Sequence, residues 1–311
     1  MRRAVWLLLG VAVVSVPWLV AALVPRQQRY VLHVLVFTAL FASLALSYDL
    51  VVGHVGSLSL AHPAFFGVGA YTAAILATQA RWSFLPDVLA AGLAAAVVAA
   101  LVGVPLFRLT EHAFAVGTLG LALVASVVAN NWVEVTRGPL CITGIPKPAL
   151  GPLAITTLPA FYWLAVAALG AVVLLYRGLT TFRLGRAFHA VRDNEPLASA
   201  AGIDPLKYRL LAFTIAAGLA GGVGALYVHY LSVMCPEEMT VALTVNLLVI
   251  VFLGGVGTLR GVLVGAVLFT ALPEVLRLAP TWRLVIYGAL LLLVVVRSPG
   301  GIEGLLRGAS R

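Results

Sequence analysis

Residues 87–107 read DVLAAGLAAAVVAALVGVPLF. Beyond Asp87 this stretch carries no charged side chain. Its length and character suit a helix crossing a hydrocarbon core about 30 Å thick, at about 1.5 Å per residue. The pattern recurs at 4–24, 30–48, 63–80, 113–129, 160–176, 210–230, 241–256, 261–276 and 282–297. The last three stretches are short and glycine-interrupted, so eight to ten spans are expected. A backbone in hydrocarbon must satisfy its own hydrogen bonds, and no ten-residue alternation of a barrel is visible, so the spans are helices. Arg2 and Arg3 before 4–24 imitate a signal peptide, but the run has span length and more spans follow. It reads as an uncleaved first helix.

The composition of the 311 residues agrees. Hydrophobic residues make up 62% and charged residues only 10%, against about 25% charged in soluble proteins. Mean hydropathy is +1.08. These values exclude a soluble enzyme and a disulfide-stapled secreted module. The expected fold is all-α and polytopic, one transmembrane domain over 1–311.

The net charge of +9 is then a statement about topology. With both termini cytoplasmic, the inner segments hold 13 basic residues and the outer ones 7, which follows the positive-inside rule. No basic run with interleaved aromatics suggests nucleic acid. The longest hydrophilic stretch, 177–209, has six basic and three acidic residues. It reads as two short helices meeting near Asn194–Pro196, with Gly202 as a stop. A solvated inner loop would have the same charges; its length and mixed signs favour a docking surface for another protein. The main outer loop is 130–159.

Several chemistries are missing. The only lysines, Lys147 and Lys207, follow Pro146 and Leu206, so a phosphate-binding Gly-x-x-x-x-Gly-Lys loop is excluded. His33, His54, His62, His112, His189 and His229 lack partners at metal-ligand spacing and read as buried or interfacial residues; no metal site is expected. Cys141 and Cys235 both fall in outer loops; free thiols are the default, and a bridge requires that the fold bring them together. Asp49 and Glu274 lie near span ends, where water is reachable. So few intramembrane carboxylates argue against an ion-coupled carrier. No constellation of acid, base and nucleophile supports a membrane enzyme.

Two glycine segments interrupt the spans. The first runs from Gly53 through Gly56, Ser59 and His62 to Tyr71; the second contains Gly254, Gly255, Gly257 and Gly261. They share Val-Gly-Ser/Thr-Leu at 55–58 and 256–259. Interrupted segments in corresponding positions of two halves point to a substrate route and to a two-fold internal pseudo-repeat. Tight turns between packed helices are the alternative. Asn246, Thr244 and Tyr227 are further pathway candidates, and each is equally suited to an interhelical hydrogen bond.

These residues carry a resemblance. Gly56, Ser59, Leu60, His62, Phe65, Gly69, Ala70 and Tyr71 are similar to a characteristic stretch of the LivM-type permease subunits of branched-chain amino acid ABC importers. His112, Phe114, Ala115, Thr118 and Leu119 resemble the next family segment. Trp132, Thr136, Gly138, Pro139 and Gly144-Ile145-Pro146 resemble its outer loop. Gly185-Arg186-Ala187, Arg192-Asp193-Asn194-Glu195, Ala198 and Gly202-Ile203 resemble its inner loop. The likeness continues in order to Ser298–Ile302, covering about 30–305. Departures occur at Ala61, Thr110, Glu111, Ala113, Arg137 and Cys141. They bear on the substrate more than on the role, since members of the family also serve urea, short amides and aromatic carboxylates.

The resemblance implies a multi-pass permease of the bacterial inner membrane. It implies a LivH-type sister permease, two ATPases that carry the ATP and Mg, and a periplasmic or lipid-anchored solute-binding protein. No cofactor is implied on this chain. Arg186, Arg192, Asp193, Asn194, Glu195, Ala198 and Gly202 would form the ATPase-coupling surface. Trp132, Thr136 and Gly144 would face the binding protein. A stand-alone carrier or channel remains the competing expectation.

Overall fold

The computed structural model describes residues 16–18, 25–151, 153–275 and 301–308. The expected span 282–297, and 4–24 apart from 16–18, lie outside the described residues. A 3-10 turn at Pro25–Gln27 leads into α1 (Gln28–Asp49), which continues as a π turn, Leu50–Val55. There follow α2 (His62–Thr78), α3 (Phe84–Leu106), α4 (Glu111–Asn131) and the single turn α5 (Val133–Thr136). Next come α6 (Leu158–Thr181), α7 (Arg183–Asp193), α8 (Glu195–Ala200) and α9 (Pro205–Leu231). The series ends with α10 (Val241–Gly254), α11 (Leu259–Val275) and α12 (Gly301–Gly308). β-structure among the described residues is confined to two-residue strands. β1 (Ile142–Thr143) pairs antiparallel with β4 (Val233–Met234), and β2 (Ala149–Leu150) with β3 (Leu153–Ala154).

Five helical segments are long and apolar enough to cross a membrane: Pro25–Val55, α3, α4, α6 and α9. α10 and the segment Leu259–Ala271 are shorter apolar helices. The chain is therefore a polytopic helical membrane protein. Local signals set the helix starts. Asp204 accepts from Leu206 N and Lys207 N ahead of Pro205, and Thr157 accepts from Ala160 N ahead of α6; both caps satisfy orphan donors.

α9 is the axis of the bundle. In its most apolar window 67% of residues are buried, against 22% in α3, α4 and α6, which leaves those three for lipid or partners. α9 packs chiefly on α3 and α2, and α1 packs on α6. Close approach explains the small residues: a Cβ on Gly69 would strike the backbone of Gly221. Without a hydrophobic force between helices in lipid, such close packing is a main source of adhesion.

Candidate functional site: a junction of two helix breaks

The first glycine segment is a helix break. The π turn ends at Gly56, whose φ of 77° is a left-handed conformation that only glycine adopts without strain. The chain then runs irregularly to Ala61, and α2 starts at His62 with Pro63 in its first turn. The freed backbone groups are met by side chains from other helices. Leu60 N donates to Thr118 Oγ1 of α4 at 3.0 Å, and Leu60 O accepts from Thr244 Oγ1 of α10 at 3.2 Å. Tyr48 OH donates to Ser59 O at 2.9 Å, and His62 Nε2 lies 2.9 Å from Ser47 Oγ. Thr118 is seven residues into α4, about 10 Å along it. The irregular backbone thus reaches the depth of the spans and is satisfied there by protein, the condition for its existence in a bilayer.

The second segment is the same kind of break. α10 ends at Gly254 and α11 begins at Leu259. Gly257 has a φ of 73°, matching Gly56 in the shared Val-Gly-Ser/Thr-Leu sequence. Thr258 Oγ1 donates to Gly255 O at 2.7 Å and holds the turn.

The two breaks meet. Asp49 Oδ1 accepts from Gly257 N at 2.8 Å, joining the end of α1 to the second turn. Asp49 Oδ2 accepts from Tyr176 OH of α6 and lies 3.6 Å from His54 Nδ1. Arg192, from the end of α7, donates through Nη1 to Gly53 O. Its chain lies against both left-handed glycines. A Cβ on Gly56 would sit 2.9 Å from Arg192 Cγ, and one on Gly257 would sit 3.3 Å from Arg192 Nη1. A Cβ on Gly53 would collide with the Asp49 carboxylate and with Gly257 N. Asp49 is fully buried. A buried carboxylate survives only with hydrogen bonds and a compensating charge, supplied here by Tyr176, Gly257 and the nearby Arg192 guanidinium.

α7 is fastened beside this junction. Phe188 packs with Val55 of the π turn and Ala212 of α9, and Leu184 and Tyr208 close the cluster. The His189 ring lies 5.0 Å from the His54 ring. A polar cavity of about 280 Å³ opens next to the junction, lined by His54, Tyr176, Gly257, Arg260 and Glu303 among others. No group of three His, Cys, Asp or Glu among the described residues could hold a metal.

The two short helices expected in 177–209 are present as α7 and α8, although α6 extends to Thr181. The residues of this loop and of the other expected positions lie as follows. Arg192 is an exposed residue whose Nη1 donates to Gly53 O. Glu195 is spent on Arg209, 2.9 Å away, and Asn194 Oδ1 caps α8 through Leu197 N. Ala198 is buried. Gly202 packs against nothing; its φ of 82° serves the helix stop, where Ile203 N returns to Ala198 O. Arg186 and Asp193 are exposed. Asp49 is not at a water-reachable end. Two histidines do have carboxylate partners, 5 and 142 residues away in sequence: His54 with Asp49, and His229 with Asp87.

The opposite end of the bundle is tied by covalent and ladder contacts. Cys141 and Cys235 form a disulfide across 94 residues, with Cα atoms 4.5 Å apart, so the free-thiol expectation is overturned. The adjacent β1–β4 pair brings the two loops to bridging distance. Lys147 Nζ donates to Tyr230 O at 2.6 Å, and partial burial lowers the ammonium pKa from its ordinary value. Trp132 is exposed, as is Gly144 (φ 76°). Thr136 is not on the surface: it is buried and its hydroxyl donates to Ala129 O and Trp132 O. Tyr227 donates to Glu238 Oε2 at 2.8 Å beside a small apolar cavity, and Asn246 is partly exposed. Neither is at the junction.

Discontinuous helix pairs converging on a buried polar junction, inside a multi-pass helical bundle, are the architecture of a membrane permease. The chain belongs to the family of permease components of branched-chain amino acid transport systems, whose model matches residues 30–295. It is 30% identical to the high-affinity branched-chain amino acid transport system permease protein LivM of Escherichia coli (strain K12), over 90% of this chain and 71% of that protein. The LivM of Salmonella typhimurium is also 30% identical, over 96% and 75%. LivH of Salmonella typhimurium is 27% identical over 85% of this chain and 91% of its own length. No solved structure matches.

Proposed function

We propose that this permease works in a bacterial inner membrane as one of two membrane subunits of an ABC importer for branched-chain amino acids or a related small solute. Its partner would be a LivH-type permease, with two ATPases on the cytoplasmic face and a solute-binding protein outside. The α7–α8 end is assigned to the cytoplasm. Two facts support that side: the basic bias of 177–209, and a disulfide at the other end, which suits an oxidising compartment.

The observation that carries the proposal is Arg192 lying against both glycine breaks. α7 is then a lever whose tip sits between two corresponding turns. An ATPase that shifts α7 would withdraw or seat the guanidinium and so alter how the α1–α2 break meets the α10–α11 break. Coupling requires that nucleotide and solute each favour a different state of that contact. Exposed Arg186 and Asp193 are left as charged contacts for the ATPase.

A stand-alone proton-coupled carrier is the second reading, favoured by the buried Asp87–His229 pair. Reconstitution separates the two. With sister permease, ATPases and binding protein in proteoliposomes, solute accumulates only with ATP. Accumulation by the chain alone under a proton gradient would overturn the importer assignment.

A further inference from the structure

We propose that the face formed by α3, α6 and α9 is a binding site for one anionic glycerophospholipid in the leaflet on the disulfide side, phosphate in a cationic cavity and one acyl chain in the apolar groove beneath it. This is independent of the transport assignment.

The groove is the first observation. It has a volume of about 610 Å³ and runs between α3, α6 and α9. Its floor is made of residues with little or no side chain, including Gly92, Gly218 and Gly222. Its rim carries Leu85, Leu89 and Leu93, each more than half exposed. From Leu85 to Ala96 the groove follows α3 for eleven residues, about 16 Å at 1.5 Å per residue. One leaflet's hydrocarbon is about 15 Å deep, so the groove has the length of a single acyl chain.

The second observation lies at the groove's end. Another cavity of about 610 Å³ begins where the groove stops, and Phe84 lines both. Arg81 and Lys147 line it, together with Trp82, Ser83 and Thr143, and no carboxylate does. Among the described residues neither cation forms an ion pair with an acid; Lys147 Nζ donates to a carbonyl. His229, which also lines the cavity, has Nε2 2.8 Å from Asp87 Oδ2 and Nδ1 2.8 Å from Pro146 O. The first turn of α3, starting at Phe84, adds the positive end of its dipole; of its backbone N–H groups Pro86 has none and Asp87 N is bonded to Ser83 O. Trp82, 47% exposed, is a residue type that sits at headgroup level. Charge, depth and length therefore select a lipid with a negative headgroup over a neutral one.

The test is native mass spectrometry of the full chain, released from nanodiscs of equal parts phosphatidylglycerol and phosphatidylethanolamine. The expected result is one retained lipid, with phosphatidylglycerol enriched about thirtyfold, the scale two basic side chains provide at about 1 kcal/mol each. Arg81→Gln with Lys147→Gln should abolish the preference. Gly222→Leu, which fills the groove where a Cβ meets only Val88 at 4.0 Å, should release the lipid. Glycerol phosphate should not compete if the chain in the groove contributes; effective competition would mean a bare phosphate site and overturn the proposal. Equal retention of the two lipids by the unaltered protein, or full retention by Gly222→Leu, would also overturn it, the second because the retained lipid would then lie outside the groove.

Discussion

The two ends of the bundle are fastened by different physics. At one end a disulfide, a β1–β4 ladder and the Lys147–Tyr230 contact fix the 137–155 loop to the end of α9. At the other, α7 is held by a small apolar cluster and one guanidinium on a carbonyl, and α8 by the partly exposed Glu195–Arg209 pair. Covalent and ladder contacts have one arrangement. Polar contacts through a long flexible side chain can be made and broken without unfolding anything. In the proposed mechanism the first end supplies stability and the second the switch.

The largest expected effect is at the junction itself. Gly53→Leu should abolish uptake and much of the folded yield, because even a Cβ there meets Asp49 and the backbone of Gly257. Uptake and membrane levels measured together check this, and near-normal values would mean the breaks do not meet. Next, Cys141→Ser with Cys235→Ser should lower the melting temperature by several degrees. Uptake should stay within about twofold, since the proposed switch lies at the other end. A loss of uptake without a loss of stability would erase the contrast between the ends. The smallest effect belongs to Glu195→Gln. Its partner Arg209 is 27% exposed and Glu195 itself 48%, so the pair contributes at most about 1 kcal/mol. A large loss of uptake there would instead make Glu195 a direct ATPase contact.

The spans were legible because a charge-free run of twenty residues has few other uses. The helix pair in 177–209 was legible from Pro196 and Gly202. What stayed hidden needed distance information. Cys141 and Cys235 are 94 residues apart, and only the β1–β4 pairing shows that they meet. Asp49 looked water-reachable because a span end and a buried break look alike in sequence; Tyr176, its partner, is 127 residues away. Arg192 is solvent-exposed, as a residue of the most hydrophilic stretch should be, but its contact with Gly53 O, 139 residues away, is not visible in sequence. A usable signal existed in the paired Val-Gly-Ser/Thr-Leu turns, whose glycines leave room for the long side chain that lies on both. Thr136 was misjudged because a capping hydroxyl and a surface hydroxyl are the same residue in a loop.

The most direct measurement of the central claim is ATP hydrolysis and solute uptake followed together for Arg192→Met in the assembled transporter. Methionine keeps much of the length and removes the donor to Gly53. Hydrolysis should continue while uptake falls at least tenfold, the mark of a motor disconnected from its gate. Uptake per ATP equal to that of the unaltered protein would contradict the role assigned to Arg192.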